Sequence, residues 1–324
     1  MQAVIGFGAS QRQGTMPMAG NRQRWHAIST YRPRVLWFCH WMLSITLSAV
    51  LLCFQPVLAD SQTKNASIKI ALLHLSLSFA DLDSNYHLIE KATRLAADAG
   101  AQWVVTPELA LTGYRFDLAL GTDWIGTGPD SYVQRAQALA DELDVSLFLS
   151  HLEGSLNGSQ AYNTLFVIDS HGEIIGKHHK INTIPISEDW STAGKISKPV
   201  TLDGHRVGLL ICADAWPADH ADALRQQGAE MIISSASWGP GIYGPGDTWE
   251  KRSSETGLPV FVANKTGRER GIDQSGAVSV VSFAGQRLAE HRSKDSSILL
   301  VHWNTKNKRI EDRHVFTLKT ESTN

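Results

Sequence analysis

The amino-acid sequence predicts one domain of the α/β class over residues 60–324, and three observations support this prediction. Apolar segments suited to buried strands alternate along the chain with segments in which apolar residues recur at helical spacing. No internal repeat and no Pro- or Ser-rich linker divides this part of the chain. The composition, with 43% hydrophobic and 19% charged residues, is typical of a globular protein with a buried core.

Short apolar runs, bounded by Gly, Pro or polar residues, predict the strands. The run Trp103–Thr106 stops at Pro107, and Ser170-His171-Gly172 separates two other runs in the manner of a hairpin turn. In chain order the predicted strands are Ile68–His74, Trp103–Thr106, Val145–His151, Leu165–Asp169, Glu173–His178, Val207–Ile211, Met231–Ser235, Pro259–Ala263 and Val278–Phe283.

Helices are predicted where apolar residues recur every three or four positions. Such a pattern covers positions 88–99 and ends at Gly100, a residue type that commonly closes a helix. A second pattern covers Tyr132–Leu143. Pro217 is placed to open a third helix, which Gly228 closes. Each helix lies between two predicted strands, as the α/β class requires.

Residues 1–59 differ in composition from the rest of the chain. They contain five Arg and no Asp or Glu, and positions 35–59 carry no formal charge. An Arg-rich start, an apolar centre at Met42–Leu52 and a small residue at Ala59 predict a secretory signal peptide. A single uncleaved membrane anchor and an organellar transit peptide are the alternatives. We therefore expect an exported protein, periplasmic or secreted, that is released near residue 60 or anchored through its leader alone.

The charge balance of residues 60–324 excludes one class of partner. All 32 acidic residues but only 25 of the 30 basic residues lie there, which leaves a formal charge of −7. A nucleic-acid groove needs a dense stripe of Lys and Arg for the phosphates, and this segment supplies none. We therefore expect no nucleic-acid partner.

The cysteines leave one thiol in the predicted domain. Cys39 and Cys53 lie in the leader, so Cys212 has no partner within residues 60–324 and a disulfide there is excluded. Cys212 ends an apolar strand just before a predicted helix. Helix-terminal N–H groups lower the pKa of a thiol and can hold an oxyanion, so this position suits a nucleophile. From position alone, a small buried core residue is the alternative.

Two further charged residues also follow predicted strands. Glu108 comes directly after Pro107, where a carboxylate can serve as a desolvated general base, and Lys180 ends the second strand of the hairpin. Each alone is typical of a solvated surface residue. Together with Cys212 they follow three strand ends, the arrangement expected when loops at one edge build a site.

Three segments around these residues resemble the signature blocks of the carbon–nitrogen hydrolase (nitrilase) superfamily. The segments are TPELALTGY around Glu108, GKHHKINTIPISEDW around Lys180 and GLLICADAWP around Cys212. Glu188 matches the second glutamate of the family, eight residues after the lysine. Arg252, Glu255 and the strand PVFVAN match a further helix and strand, so the resemblance extends over about residues 68–301.

This resemblance implies the architecture and the roles of the residues. The fold would be a four-layer αββα sandwich whose outer helices commonly pair between subunits, giving a homodimer or higher homo-oligomer. Cys212 would attack the carbonyl of a small amide-type substrate, with Glu108 as base. Lys180 and the N–H of Ala213 would hold the oxyanion, Glu188 would orient Lys180, and water would release the product. The resemblance implies no cofactor.

Departures from the family pattern bear on the substrate. Nitrile-cleaving members usually carry Trp-Glu after the nucleophile, whereas this chain has Ala213-Asp214. We therefore expect hydrolysis of an amide or N-carbamoyl compound. The alternatives are a nitrilase, an N-acyltransferase and a catalytically silent binding protein on the same fold. Where many members have Tyr-Arg before the lysine, this chain has His178-His179.

The aromatic and histidine residues give weaker predictions. Tyr114, Trp190 and Trp238 lie close to the three blocks and are expected to line the substrate pocket. The Gly/Pro-rich stretch Trp238–Gly246 is expected to form a loop over that pocket. The chain has 13 His but neither an HExxH motif nor a Cys/His cluster, so we expect surface histidines and no metal site.

Overall fold

The computed structural model describes Lys64 and residues 66–158 and 160–318. The predicted leader, residues 1–59, lies outside these described residues, so its prediction stays untested. Fifteen strands and five α-helices follow in the described part of the chain. The strands are β1 (Ser67–His74), β2 (Trp103–Val105), β3 (Ser146–Gly154), β4 (Ala161–Ile168), β5 (Ile174–His179), β6 (Val200–Leu202), β7 (His205–Ile211), β8 (Met231–Ala236), β9 (Val260–Asn264), β10 (Arg268–Glu269), β11 (Ile272–Asp273), β12 (Ser279–Phe283), β13 (Gln286–His291), β14 (Ser297–Asn304) and β15 (Arg309–Thr317). The helices are α1 (Leu82–Asp98), α2 (Asp117–Leu120), α3 (Ser131–Leu143), α4 (Ala218–Gln226) and α5 (Thr248–Thr256).

The strands form two large sheets. The first has seven strands in the order β15-β14-β1-β2-β3-β4-β5, and the second has six in the order β13-β12-β9-β8-β7-β6. The centre of each sheet is parallel: β1 pairs with β2 and β2 with β3, while β7 pairs with β8 and β8 with β9. Strands β10 and β11 form a separate two-stranded ribbon.

Apolar side chains on both faces of the sheets explain the layered architecture. On β1, Ile70 and Leu72 pack in a core shared with Leu209 and Ile211 of the second sheet, whereas Ala71 packs with the helices α1 and α3. This alternation follows from the two-residue period of a strand. Helices α4 and α5 cover the second sheet. The predicted four-layer αββα sandwich is therefore confirmed.

Side-chain caps fix the starts of the two helices on the first sheet. The Asp81 side chain accepts from the amide of Ser84 at the start of α1. The Asp130 side chain accepts from the amides of Tyr132 and Val133 at the start of α3. Both carboxylates satisfy N–H groups that have no partner inside the helix.

The topology brings several strand ends to one place. Glu108 follows β2 in the first sheet, and Cys212 and Ser237 follow β7 and β8 in the second. The two sheets meet there, because the Glu108 amide donates to the carbonyl oxygen of Ala236 at 3.2 Å. Within residues 66–158 and 160–318, no helix combines the length and apolarity needed to span a membrane.

The largest departure from the sequence-based prediction lies at the C-terminal end. Strands β13, β14 and β15 were not predicted, yet β14 pairs antiparallel with β1 over Ser67–His74 and occupies an inner position of the first sheet. Its outer neighbour β15 alternates less clearly because most of its residues are exposed. The β14 segment, SILLVHWN, is itself a largely apolar run like those of the predicted strands, so its pattern could have predicted it.

Candidate active site

Glu108, Lys180 and Cys212, predicted from three separate strand ends, are brought together in the fold. Lys180 Nζ donates to Glu108 Oε1 at 2.7 Å, and the Cys212 thiol is hydrogen-bonded to the Glu108 carboxylate. The side chains of Glu108 and Lys180 are fully buried, and Cys212 is 5% exposed. All three groups are therefore largely shielded from solvent.

The backbone presents Cys212 in a strained turn. Its φ of 48° lies in the left-handed region, which is unfavourable for a residue with a side chain. The turn follows directly on β7 and opens a short 3-10 helix, Cys212–Ala215. A sharp turn between strand and helix exposes the side chain at the strand end and directs free helix N–H groups, including that of Ala213, towards it.

Glu188 and Asn163 complete the hydrogen bonding around Lys180. Lys180 Nζ donates to both carboxylate oxygens of Glu188, at 2.8 and 2.7 Å. Asn163 Nδ2 donates to Glu108 Oε1 at 2.9 Å and to Glu188 Oε1 at 3.0 Å. Glu108 Oε2 accepts the backbone amide of Ser237, and Glu188 Oε2 accepts the amide of Ile184 in addition to Lys180.

The sequence-based prediction gave Asn163 no role in the site, because the predicted strand began only at Leu165 and an asparagine beside it is no sign of a catalytic residue. Its role depends on the pairing of β4 with β5, where Lys180 directly follows β5 and its amide donates to the Asn163 carbonyl oxygen at 2.8 Å. Ser237 was missed because it bonds to Glu108 through its backbone amide, which every residue type except proline could supply.

Burial and the neighbouring charges shift the pKa values of the three central groups. Burial raises the pKa of Glu108, and the nearby Lys180 ammonium opposes this rise. Burial also raises the pKa of the Cys212 thiol well above its ordinary value, and the Glu108 charge adds to the rise. Although burial disfavours the ammonium, attraction to Glu108 raises the pKa of Lys180 well above its ordinary value. In the resting site these shifts favour the thiol over the thiolate, favour the ammonium of Lys180 and make the carboxylate more basic than usual.

A second buried pair lies beside these residues. His178 Nε2 and Asp214 Oδ2 are 2.8 Å apart, and both side chains are buried. Burial disfavours the charge of Asp214, but the hydrogen bond and charge of His178 outweigh it and lower the pKa of the carboxyl. The expectation of surface histidines is therefore wrong for His178, which faces the second sheet. His74, His151 and His205 are also buried, each with polar partners.

A cavity of about 480 Å³ opens onto Cys212 and Ala213. Its other lining residues are Tyr114, Ile184, Trp216, Ser237, Trp238, Gly239, Pro240, Gly241, Ile242, Tyr243, Gly244, Ile272, Asp273 and Gln274. The stretch Trp238–Gly246 supplies one wall without regular structure over 238–244, as predicted.

The three aromatic residues predicted for the pocket differ in their placement. Tyr114 and Trp238 line the cavity, and the Tyr114 ring lies 5.7 Å from Lys180 Nζ. Trp190 does not line it: its ring packs edge-on against Phe116 at 4.8 Å. We therefore correct the expectation for Trp190: it is near Glu188 in sequence, but its ring packs in a small apolar cluster with Leu109, Phe116 and Leu152.

The described residues contain no group of three or more His, Cys, Asp or Glu side chains arranged to hold a metal ion. The charged side chains of the site form ion pairs with one another: Lys180 neutralises part of the charge of Glu108 and Glu188. The arrangement is suited to proton transfer and to stabilising negative charge beside a thiol.

Comparison with known proteins agrees with this geometry. The family profile for carbon-nitrogen hydrolases matches residues 69–306. A nitrilase from Pyrococcus abyssi is 26% identical over 253 residues, which cover 76% of this chain and 94% of the relative. A citrullinase from Francisella tularensis is 26% identical over 259 residues, covering 72% and 88%. Among solved structures, a variant of the amidase from Nesterenkonia sp. AN1 in complex with butyramide has a TM-score of 0.66 at 25% identity, covering 75% of this chain and 94% of that chain.

Proposed function

This chain belongs to the carbon–nitrogen hydrolase family, and from that premise we propose that it hydrolyses a small, uncharged amide or N-carbamoyl compound through a Cys212 thioester. One observation carries the proposal: Glu108, Lys180 and Cys212 form a buried, hydrogen-bonded cluster that opens into a cavity. The family makes the chain an enzyme that acts on C–N bonds. The substrate and the roles of the residues are our proposal.

The first half of the reaction forms the thioester. Glu108 takes the thiol proton as Cys212 Sγ attacks the carbonyl carbon, because its raised pKa and its hydrogen bond to the thiol suit a general base. The carbonyl oxygen becomes an oxyanion, which Lys180 Nζ and the Ala213 amide stabilise. Glu108 then gives the proton to the nitrogen, the C–N bond breaks, and ammonia or an amine leaves.

The second half returns the enzyme to its starting state. Glu108 accepts a proton from a water molecule that attacks the thioester carbonyl, and the same donors stabilise the second oxyanion. The C–S bond breaks, the acid is released, and the proton returns to Sγ. Glu108 alternates between base and acid, whereas Lys180 stays charged, held by the two carboxylates.

The contacts of the two glutamates support giving the proton-transfer role to Glu108. Glu188 accepts from Lys180 with both oxygens and also from Asn163 and the Ile184 amide, so other donors occupy both of its oxygens. Glu108 contacts both the thiol and Lys180. We therefore propose that Glu188 orients Lys180.

The cavity lining supports an uncharged substrate. Trp216, Trp238 and Tyr243 contribute aromatic surface, and three isoleucines contribute aliphatic surface. Among the described residues, no Lys or Arg lines the cavity, so a substrate carboxylate would enter without a counterion. The lining carboxylate, Asp273, is already bonded to Arg268 and to Ser275.

The preference for amides over nitriles rests on two observations. The residues after Cys212 are Ala213-Asp214, where nitrile-cleaving relatives usually present Trp-Glu. In the proposed mechanism Lys180 and the Ala213 amide hold an oxyanion, which the first attack on an amide forms and the first attack on a nitrile does not. The solved amidase with butyramide supports the same choice, whereas the Pyrococcus relative named a nitrilase makes nitriles the alternative to test.

A matched pair of substrates tests the proposal. Purified protein is assayed for ammonia release from butyramide and from butyronitrile, which share one side chain, with Cys212→Ala as control. We expect a higher kcat/KM for butyramide and no turnover by Cys212→Ala. A higher kcat/KM for butyronitrile would overturn the amide assignment, and turnover by Cys212→Ala would overturn the mechanism.

A further inference from the structure

The carboxylate of Asp214 lies between the two segments that carry Cys212 and Lys180. The side chain is fully buried and accepts four hydrogen bonds, which occupy both of its oxygens. Its donors are the amide of Asn182 at 2.7 Å, Nε2 of His178 at 2.8 Å, the amide of Ile181 at 2.9 Å and the amide of Ile211 at 3.0 Å.

These donors come from both sides of the two reactive residues. One immediately precedes Cys212 in sequence, and the other three, at positions 178, 181 and 182, flank Lys180. A further bond connects the same segments, since Asn182 Nδ2 donates to the carbonyl oxygen of Ala213 at 2.7 Å. The turn that carries the thiol and the loop that carries the ammonium are therefore joined through one carboxylate.

We infer that Asp214 and His178 are positioning residues, which hold the lysine loop against the turn of Cys212 so that Lys180 Nζ and the Ala213 amide converge on one oxyanion. The inference rests on the proposed function, because the two residues would align the groups that stabilise the oxyanion of that reaction. An oxyanion site acts through fixed distances, and a displacement of about 1 Å can lower the rate about 100-fold. The strained φ of Cys212 also needs a surrounding structure that holds the turn in place.

The next residue on the same strand provides a matched control. His179 also pairs with a carboxylate, because its Nε2 lies 2.7 Å from Glu153 Oε2, and its ring stacks on Tyr162. Successive side chains on a strand point to opposite faces, so this pair lies away from Cys212. Replacing His179 therefore removes a similar interaction but leaves the hydrogen bonds of Asp214 in place.

The experiment compares two reactions of the full-length chain. The first is butyramide hydrolysis, which needs an aligned oxyanion site. The second is alkylation by iodoacetamide, measured at the Cys212 peptide by mass spectrometry. Alkylation displaces iodide at a saturated carbon and forms no oxyanion, so it needs the thiol and its base but not the alignment of Lys180 with the Ala213 amide.

Four variants separate alignment from folding: Asp214→Asn, His178→Leu, His178→Gln and His179→Leu. We expect Asp214→Asn and His178→Leu to lower kcat about 100-fold, with KM and the alkylation rate changed about threefold or less. His178→Gln should retain kcat within about fivefold, because its amide can still donate to Asp214. In His179→Leu both kcat and the alkylation rate should stay within about twofold of those of the unmodified chain.

Two results would overturn the inference. One is an unchanged kcat in both Asp214→Asn and His178→Leu. The other is a loss of alkylation as large as the loss of kcat, which would mean that the pair maintains the folded site rather than its alignment. If Asp214→Asn does not yield folded protein, the comparison of His178→Leu with His178→Gln decides alone. Failure of the unmodified chain to hydrolyse any amide would contradict the proposed function instead, and that assay precedes the variants.

Discussion

The floor and the mouth of the cavity are built in opposite ways. The floor is Cys212, which lines the cavity, together with the hydrogen-bonded cluster of Glu108, Asn163, Lys180 and Glu188, which does not line it. This floor is almost fully buried, and its charged groups bond to one another. The mouth, formed by residues 238–244, has no regular structure and exposes apolar side chains. Ile242 is 91% exposed and Tyr243 is 76% exposed.

This difference separates two tasks. A buried network with satisfied hydrogen bonds holds reacting groups at fixed distances, and removing one member leaves another unpaired. An exposed apolar loop makes few contacts until a ligand covers it, so its side chains contribute to binding rather than to chemistry. We therefore expect changes in the floor to act on kcat and changes in the mouth to act on KM.

Replacing Glu108 by Gln gives the largest expected effect on the floor. The change keeps the shape of the side chain but removes the proton acceptor, so kcat should fall at least ~100-fold. Glu188→Gln is the matched comparison, because both oxygens of Glu188 accept from Lys180 and the residue is proposed to orient that ammonium rather than to transfer a proton. Steady-state kinetics with butyramide measures both, and an undiminished kcat in Glu108→Gln together with a large loss in Glu188→Gln would exchange their roles.

The pH dependence tests the electrostatics of the floor. Burial raises the pKa of Glu108, and only its ionised form can accept the thiol proton. As the pH falls through this raised pKa, the base becomes protonated and kcat/KM declines. The acidic limb should therefore lie above the ordinary pKa of a glutamate, about 4.3. A pH–rate profile with butyramide measures it, and an acidic limb at or below the ordinary value would contradict a desolvated base.

Truncation at the mouth should produce a smaller and different effect. Ile242→Ala removes apolar surface that a bound acyl chain would cover, so KM should rise about three- to tenfold with kcat within about twofold. Leu156→Ala is the control, because Leu156 is equally exposed but does not line the cavity. A fall in kcat without a change in KM would show that the loop takes part in the chemistry.

Two predictions outside this comparison concern residues 1–59 and the assembly. The Arg-rich, acid-free leader and its apolar run predict a mature protein that begins near Asp60 outside the cytoplasm. N-terminal sequencing of the protein from fractionated cells measures this: a start near Met1 in the membrane fraction would indicate an anchor, and a cytosolic product would reject export.

The assembly is expected to be a homodimer or higher homo-oligomer. Light scattering measures the mass of the particle in solution, and a monomer would contradict this expectation.

The sequence predicted the centre of the fold better than its C-terminal part. The parallel strands β1, β2, β7, β8 and β9 are buried on both faces and therefore appear as continuous apolar runs. Strand β14 is equally buried, but its partner β15 is largely exposed. Without the alternation of strands and helices, which had guided the prediction, this antiparallel pair was not recognised.

The same contrast applies to the site. Glu108, Lys180 and Cys212 could be found because each follows a strand and lies in a recognisable block. His178 and Asp214 lie in two of these blocks, but their pairing could not be predicted, because it joins strand β5 of one sheet to the turn after β7 of the other. Contacts between sheets depend on how the layers pack, which local sequence patterns do not specify.

The covalent intermediate tests the central claim most directly. The full-length chain is mixed with butyramide, quenched in acid during turnover, digested and analysed by peptide mass spectrometry. We predict a mass increase equal to one butyryl group on the peptide that contains Cys212, absent from the same peptide of Cys212→Ala, which should release no ammonia. Continued ammonia release without any acyl group on Cys212, or turnover by Cys212→Ala, would contradict the thioester mechanism.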